Sequence, residues 1–113
     1  MKAAKAQAVR ANGFIFVSGQ LPIDMATGIL NSEGVHKETR IIMDNIAAIL
    51  EAAGSSILNT VKLTVYLTHI DDIKFVNEVL TERFAENLPA RVAIEAAKLP
   101  KGAKVEIDAI AAE

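Results

Sequence analysis

The chain has no cysteine and no tryptophan. Disulfides, thiolate nucleophiles and cysteine-based metal sites are therefore excluded. Histidine is almost as scarce. His36 and His69 stand at the starts of different candidate helices, without His-X-His or His-X3-His spacing, so no metal centre is expected from them. Aromatic residues make up 4% of the chain, too few for a base-stacking platform on single-stranded nucleic acid. Neither sign of charge dominates: 12 basic residues against 14 acidic ones leave a net charge of -2. The basic residues are scattered, which provides no footprint for nucleic acid or an anionic membrane. No apolar run approaches the roughly 20 residues of a membrane span. Residues 1–13 carry Lys2, Lys5 and Arg10 without the apolar stretch of a secretory leader. A cytoplasmic protein is expected, or an organellar one whose presequence has been removed. Phosphate-cradling glycine patterns and the Gly-X-Ser-X-Gly elbow are also missing, so no nucleotide cofactor is expected.

What is present is apolar. Hydrophobic residues form 51% of 113 residues, and mean hydropathy is +0.29. That length is one domain. Its interior is too small to hide so much apolar surface, which points to a homo-oligomer.

Along the chain, Gln7–Arg10 and Phe14–Gly19 read as strands joined by Asn12-Gly13, the strongest two-residue hairpin signal. Leu21–Gly34, with Pro22, Gly28 and Gly34, reads as a loop. Val35–Ala53 reads as a helix, with Val35, Thr39, Ile42, Ile46, Ile49 or Leu50, and Ala53 on one face and Gly54 as its stop. Asn59–Leu67 alternates as a strand. Asp71 or Asp72 is placed to cap a second helix bearing Ile73, Val76, Leu80 and Phe84 on one face. Two further strands, Arg91–Ala96 and Val105–Ala111, are joined by Pro-Lys-Gly. The order ββαβαββ predicts an α+β, two-layer domain, with two helices on one face of a mixed sheet and the other face free.

In the last two strands, Val92, Ile94 and Ala96 alternate with Arg91, Ala93 and Glu95. Val105, Ile107, Ala109 and Ala111 alternate with Glu106, Asp108 and Ile110. The alternation predicts Arg91 and Glu106 on the non-core face. A guanidinium and a carboxylate on rigid strands suit an anionic substrate and a proton transfer. The plainer alternative is a pair of solvated or weakly paired surface charges. Asn77 lies near the edge of the second helix's apolar stripe.

Several segments together resemble the RidA (YjgF-like) family of reactive-intermediate imine deaminases. They are FVSGQLPID followed by TG, LEAAGSS, VKLTVYLT, DDIKFVNEV and PARVAIEAAKLPKGAKVEIDAIA. The resemblance covers nearly the whole chain. It implies a chorismate-mutase-like fold and a homotrimer with clefts between subunits. It also implies hydrolysis of small 2-imino or 2-enamino acids, such as 2-iminopropanoate and 2-iminobutanoate, to 2-oxo acids and ammonia. Neither cofactor nor metal is implied; the implied partners are those acids and further copies of the chain. Arg91 matches the family's carboxylate-binding arginine, and Glu106 the glutamate that positions water. Ser18 and Gly19 match the cleft-lining pair, and Asn77 the asparagine of the VNE segment. Three positions depart from the pattern. Lys5 stands where the family has tyrosine, Ala93 where it has cysteine or a similar residue, and Leu88 where phenylalanine often precedes PAR. A deaminase is the first expectation. A non-catalytic small-carboxylate-binding or regulatory protein of the same fold is the second.

Overall fold

The computed structural model describes residues 4–113; Lys2, counted above in the leader argument, lies outside them. Strands β1 (Ala8–Ala11) and β2 (Phe14–Gln20) are followed by helix α1 (Val35–Ala52), β3 (Thr60–Leu67), α2 (Ile73–Phe84), β4 (Ala90–Glu95) and β5 (Val105–Ala112). The sheet order is β1-β2-β5-β3-β4. Only β3 and β4 run parallel, across the α2 crossover; the other neighbours are antiparallel. The expected ββαβαββ order and the two helices on one face of a mixed sheet are both found.

Local chemistry accounts for the turns. Asn12 (φ 50°) and Gly13 (φ 84°) both have positive φ, as a type I′ hairpin turn requires. Helix α1 ends in a Schellman motif: the Ser55 N–H donates to the Leu50 carbonyl and the Gly54 N–H to the Glu51 carbonyl. Gly54 takes φ 82° there, which costs a side-chain-bearing residue dearly. Helix α2 begins differently from expectation. Asp72 occupies the cap position but makes no side-chain cap bond. A 3-10 turn over Ile70–Asp72 leads in, and Glu95 of β4 accepts the Ile70 N–H at 2.9 Å.

The core lies between sheet and helices. Ile42, Met43, Ile46 and Leu50 of α1 and Val76, Val79, Leu80 and Phe84 of α2 pack on Leu63, Val65, Leu67, Val105 and Ile107. The far face of the sheet is uncovered. Val9, Phe16 and Ile110 share one row of it, and Tyr66 and Ile94 share another. Phe14, Phe16, Val92 and Ile94 are each more than 40% exposed.

Strands β4 and β5 are not neighbours; β3 runs between them. One expectation about these strands is corrected: Arg91 does not lie on the non-core face. It is aligned with Leu63, whose side chain is in the core, so Arg91, Ala93 and Glu95 point to the helix layer. Val92 and Ile94 point to the open face instead. The reason is position. The helices only half cover this edge strand, so its helix side tolerates charge and its apolar residues join the uncovered face. No described helix is long and apolar enough to cross a membrane.

Ile46 has no exposed surface. Ile46→Ala is expected to lower unfolding free energy by about 2–5 kcal/mol in urea denaturation; a loss below about 1 kcal/mol would contradict its place in the core.

Candidate functional site

Near its end, β2 carries a bulge. Val17 is opposite Ala109 and Gln20 opposite Ile107, so Ser18 and Gly19 together oppose Asp108. The bulge is tied to the segment before β1. The Ser18 hydroxyl donates to the Ala6 carbonyl at 2.6 Å, and the Ser18 N–H to the Gln7 carbonyl at 3.0 Å. A cavity of about 290 Å³ opens here, lined among others by Lys5, Ser18, Gly19, Gln20, Ile23 and Asn45.

Glu106 of β5 lies against this bulge. A methyl group built on Gly19 would overlap the Glu106 carboxylate. Glycine is therefore what lets that carboxylate rest on the β2 backbone. Glu106 is half-buried, and burial pushes its carboxyl above the usual range. The neighbouring Asp108 charge adds to that rise, while Lys5 opposes it. The Tyr66 hydroxyl donates to Asp108 Oδ2 at 3.3 Å. Its own pKa is raised, first by burial and then by the Asp108 and Glu106 carboxylates. A carboxyl raised in this way accepts a proton more readily than an ordinary glutamate and can return it.

Arg91 stands elsewhere. It lines a second cavity, of about 420 Å³, with Asn77, Leu80, Thr81, Leu88 and Pro89. Its Nη1 donates to Asn77 Oδ1 at 2.5 Å, the one hydrogen bond of this guanidinium among the described residues. The described ion pairs join Arg10 to Glu113, His36 to Glu78 and Arg83 to Asp44, and Arg91 is in none of them. An exposed guanidinium, aimed by a neutral amide and facing a cavity, presents its planar fork to a carboxylate.

The predicted residues thus fall into two groups. Ser18, Gly19 and Lys5 gather beside Glu106. Asn77 and Leu88 gather around Arg91. Ala93 lines neither cavity and packs against the core. Arg91 points to the helix side of the sheet, whereas Glu106, aligned with Tyr66, points to the open side. The two cavities share no lining residue. Sequence reasoning missed Asn45 and Gln20 in the first cavity and the Tyr66–Asp108 pair beside Glu106. Asp108 was legible, since it lies two residues from Glu106 on one strand face. Asn45 carried a weaker signal, a polar residue next to the apolar stripe of α1.

The family model described as Endoribonuclease L-PSP matches residues 2–113. A RutC family protein of Pyrococcus horikoshii is 48% identical over 105 residues, covering 93% of this chain and 83% of that protein. The human 2-iminobutanoate/2-iminopropanoate deaminase is 44% identical over 105 residues, covering 93% and 77%. Among solved structures, RidA from the Antarctic bacterium Psychrobacter sp. superposes with a TM-score of 0.93 at 40% identity, covering 98% of this chain and 89% of that one.

Gly19→Ala is expected to leave the fold intact and drive the Glu106 side chain outward. By carbon-detected NMR titration, the Glu106 carboxyl should then move down toward the ordinary glutamate range; an unchanged titration would show that the carboxylate does not depend on Gly19.

Proposed function

The chain belongs to the RidA (YjgF-like) family, whose model is described as Endoribonuclease L-PSP, and from that premise we propose that it hydrolyses small 2-imino acids to 2-oxo acids and ammonia in a cleft formed between two copies of the chain. The observation that carries this reading is the division of the machinery. One cavity holds the Arg91 guanidinium, the perturbed Glu106 carboxylate stands beside the other, and the two side chains point to opposite faces of one sheet. Each is half of a site. The exposed Phe14, Phe16, Val92 and Ile94 give the open face reason to be covered by further copies. A homotrimer is the assembly this reading adopts.

The chemistry follows from the two halves. Arg91, steadied by Asn77, binds the substrate carboxylate through two parallel N–H···O bonds. That fixes the adjacent C=N carbon in front of Glu106 of the neighbouring copy. Ionised Glu106 takes a proton from water as the water oxygen bonds to that carbon. The C=N double bond becomes a single bond, and its electron pair goes to nitrogen. Glu106 returns the proton to nitrogen, which leaves a carbinolamine; it then takes the hydroxyl proton and passes it to the amine nitrogen, the C–N bond breaks, and ammonia leaves as the C=O bond forms. An imine carbon is already electrophilic, so positioning supplies much of the barrier reduction. Burial beside Asp108 keeps Glu106 basic enough to act as the base and acidic enough to give the proton back.

The family description names an endoribonuclease. In this chain a net charge of -2 and one tyrosine favour a small anionic substrate over RNA.

The test generates 2-iminopropanoate and 2-iminobutanoate in situ and follows 2-oxo acid formation. The wild-type protein is expected to accelerate it. Arg91→Ala should lower kcat/KM by roughly 10²–10⁴, the loss of two charge-assisted bonds. Glu106→Gln should abolish the acid limb of the pH–rate profile. In the wild type that limb should lie above the ordinary glutamate range, because the base works only when ionised. No acceleration by the wild type, or full activity in Arg91→Ala, would contradict the proposal.

A further inference from the structure

The cavity beside Glu106 carries charge of one sign. Among the described residues that line it, Lys5 is the single charged side chain. Gln7, Ser18, Gln20 and Asn45 are neutral polar groups, and Ile23 and Met25 supply apolar wall. Three of the polar groups already hold protein partners. The Ser18 hydroxyl donates to Ala6, the Gln20 amide donates to the Ser18 carbonyl at 3.0 Å, and the Asn45 amide donates to the Ile23 carbonyl at 2.8 Å. Lys5 differs from them. It takes part in none of the ion pairs among the described residues. Its charge nevertheless acts on the Glu106 carboxyl. The ammonium therefore sits within electrostatic reach of the proposed reacting group, at the wall of a pocket, without closing a pair. No carboxylate lines that pocket.

We infer that Lys5 selects 2-imino and 2-oxo acids bearing a second carboxylate, and holds that group in the cavity lined by Ser18, Gln20 and Asn45. The inference rests on the reading of the site given above, in which Arg91 of another copy holds the first carboxylate. The reacting carbon then lies in front of Glu106, over Gly19, and its side chain projects into the Lys5 cavity. A side chain that ends in a carboxylate meets the ammonium there, as the second acid group of a small 2-oxo dicarboxylate would. An aliphatic side chain would instead leave the ammonium facing a methyl group, with its hydration stripped and nothing in return. Lys5 is a specificity-determining residue, and the chemistry at the C=N carbon stays with Glu106.

Calorimetric titration with 2-oxoglutarate and 2-oxobutanoate reads the ligand class without needing turnover. Wild-type protein is expected to bind 2-oxoglutarate about tenfold tighter or more, the scale of one charge-assisted hydrogen bond. Lys5→Met keeps the reach of the side chain without its charge and should bring the two affinities within about threefold. Lys5→Arg should keep the preference. Equal affinities in the wild type, no binding of either acid, or an unchanged ratio in Lys5→Met overturns the inference. A preference that disappears in Lys5→Met, in a protein that turns over no imine, supports the role of Lys5 and contradicts the deaminase reading alone.

Discussion

The period of a β-strand governs this molecule. Side chains alternate between the two faces of a sheet, and a packed sheet does not turn one residue over. Arg91 shares a face with Leu63, and Glu106 shares the other with Tyr66. No rotamer change within one chain brings the guanidinium and the carboxylate together. A reaction that uses both must recruit them from different copies. The same alternation places Phe16, Val92 and Ile94 on the uncovered face. On the proposed function, covering the exposed apolar face with further copies and bringing Arg91 to Glu106 are one and the same event.

Around Glu106 the backbone and the charges act together. The β2 bulge sets Ser18 and Gly19 against a single partner residue, and the missing Cβ of Gly19 leaves room for the carboxylate. Burial and Asp108 raise the proton affinity of Glu106, and Lys5 pulls it back. Asp108 is itself engaged by Tyr66. At Arg91 the arrangement is simpler. Asn77 aims the guanidinium without neutralising it, so its charge stays available to a ligand.

Much of the fold was legible in the residues. Asn12-Gly13 marked the hairpin, Gly54 marked the end of α1, and the stripes of Ile42, Ile46 and Leu50 and of Val76, Leu80 and Phe84 found the core. Those signals are local, and local sterics and burial decide them. The facing of β4 was not legible. Alternation separates Arg91 from Val92 but does not say which of them faces the helices. At this half-covered edge the apolar set turned outward. Nor was the strand order legible, because β3 enters between β4 and β5 through the α2 crossover. The site was half visible for the same reason. Arg91 and Glu106 were identified by type and by resemblance, but their separation onto two faces depends on strand order. The contact of Glu95 of β4 with the Ile70 N–H, which leads into α2, was not legible either, because it joins residues 25 apart in the chain.

The most direct test of a site shared between copies is complementation. Arg91→Ala and Glu106→Gln chains, each strongly impaired alone, are unfolded together, refolded as a mixture, and assayed for imine hydrolysis, with mixed oligomers verified by native mass spectrometry. Where each cleft takes its arginine from one copy and its glutamate from the next, random assembly of equal amounts rebuilds about one cleft in four. Recovery near a quarter of wild-type activity is the predicted result; verified mixed oligomers with no recovered activity would contradict it.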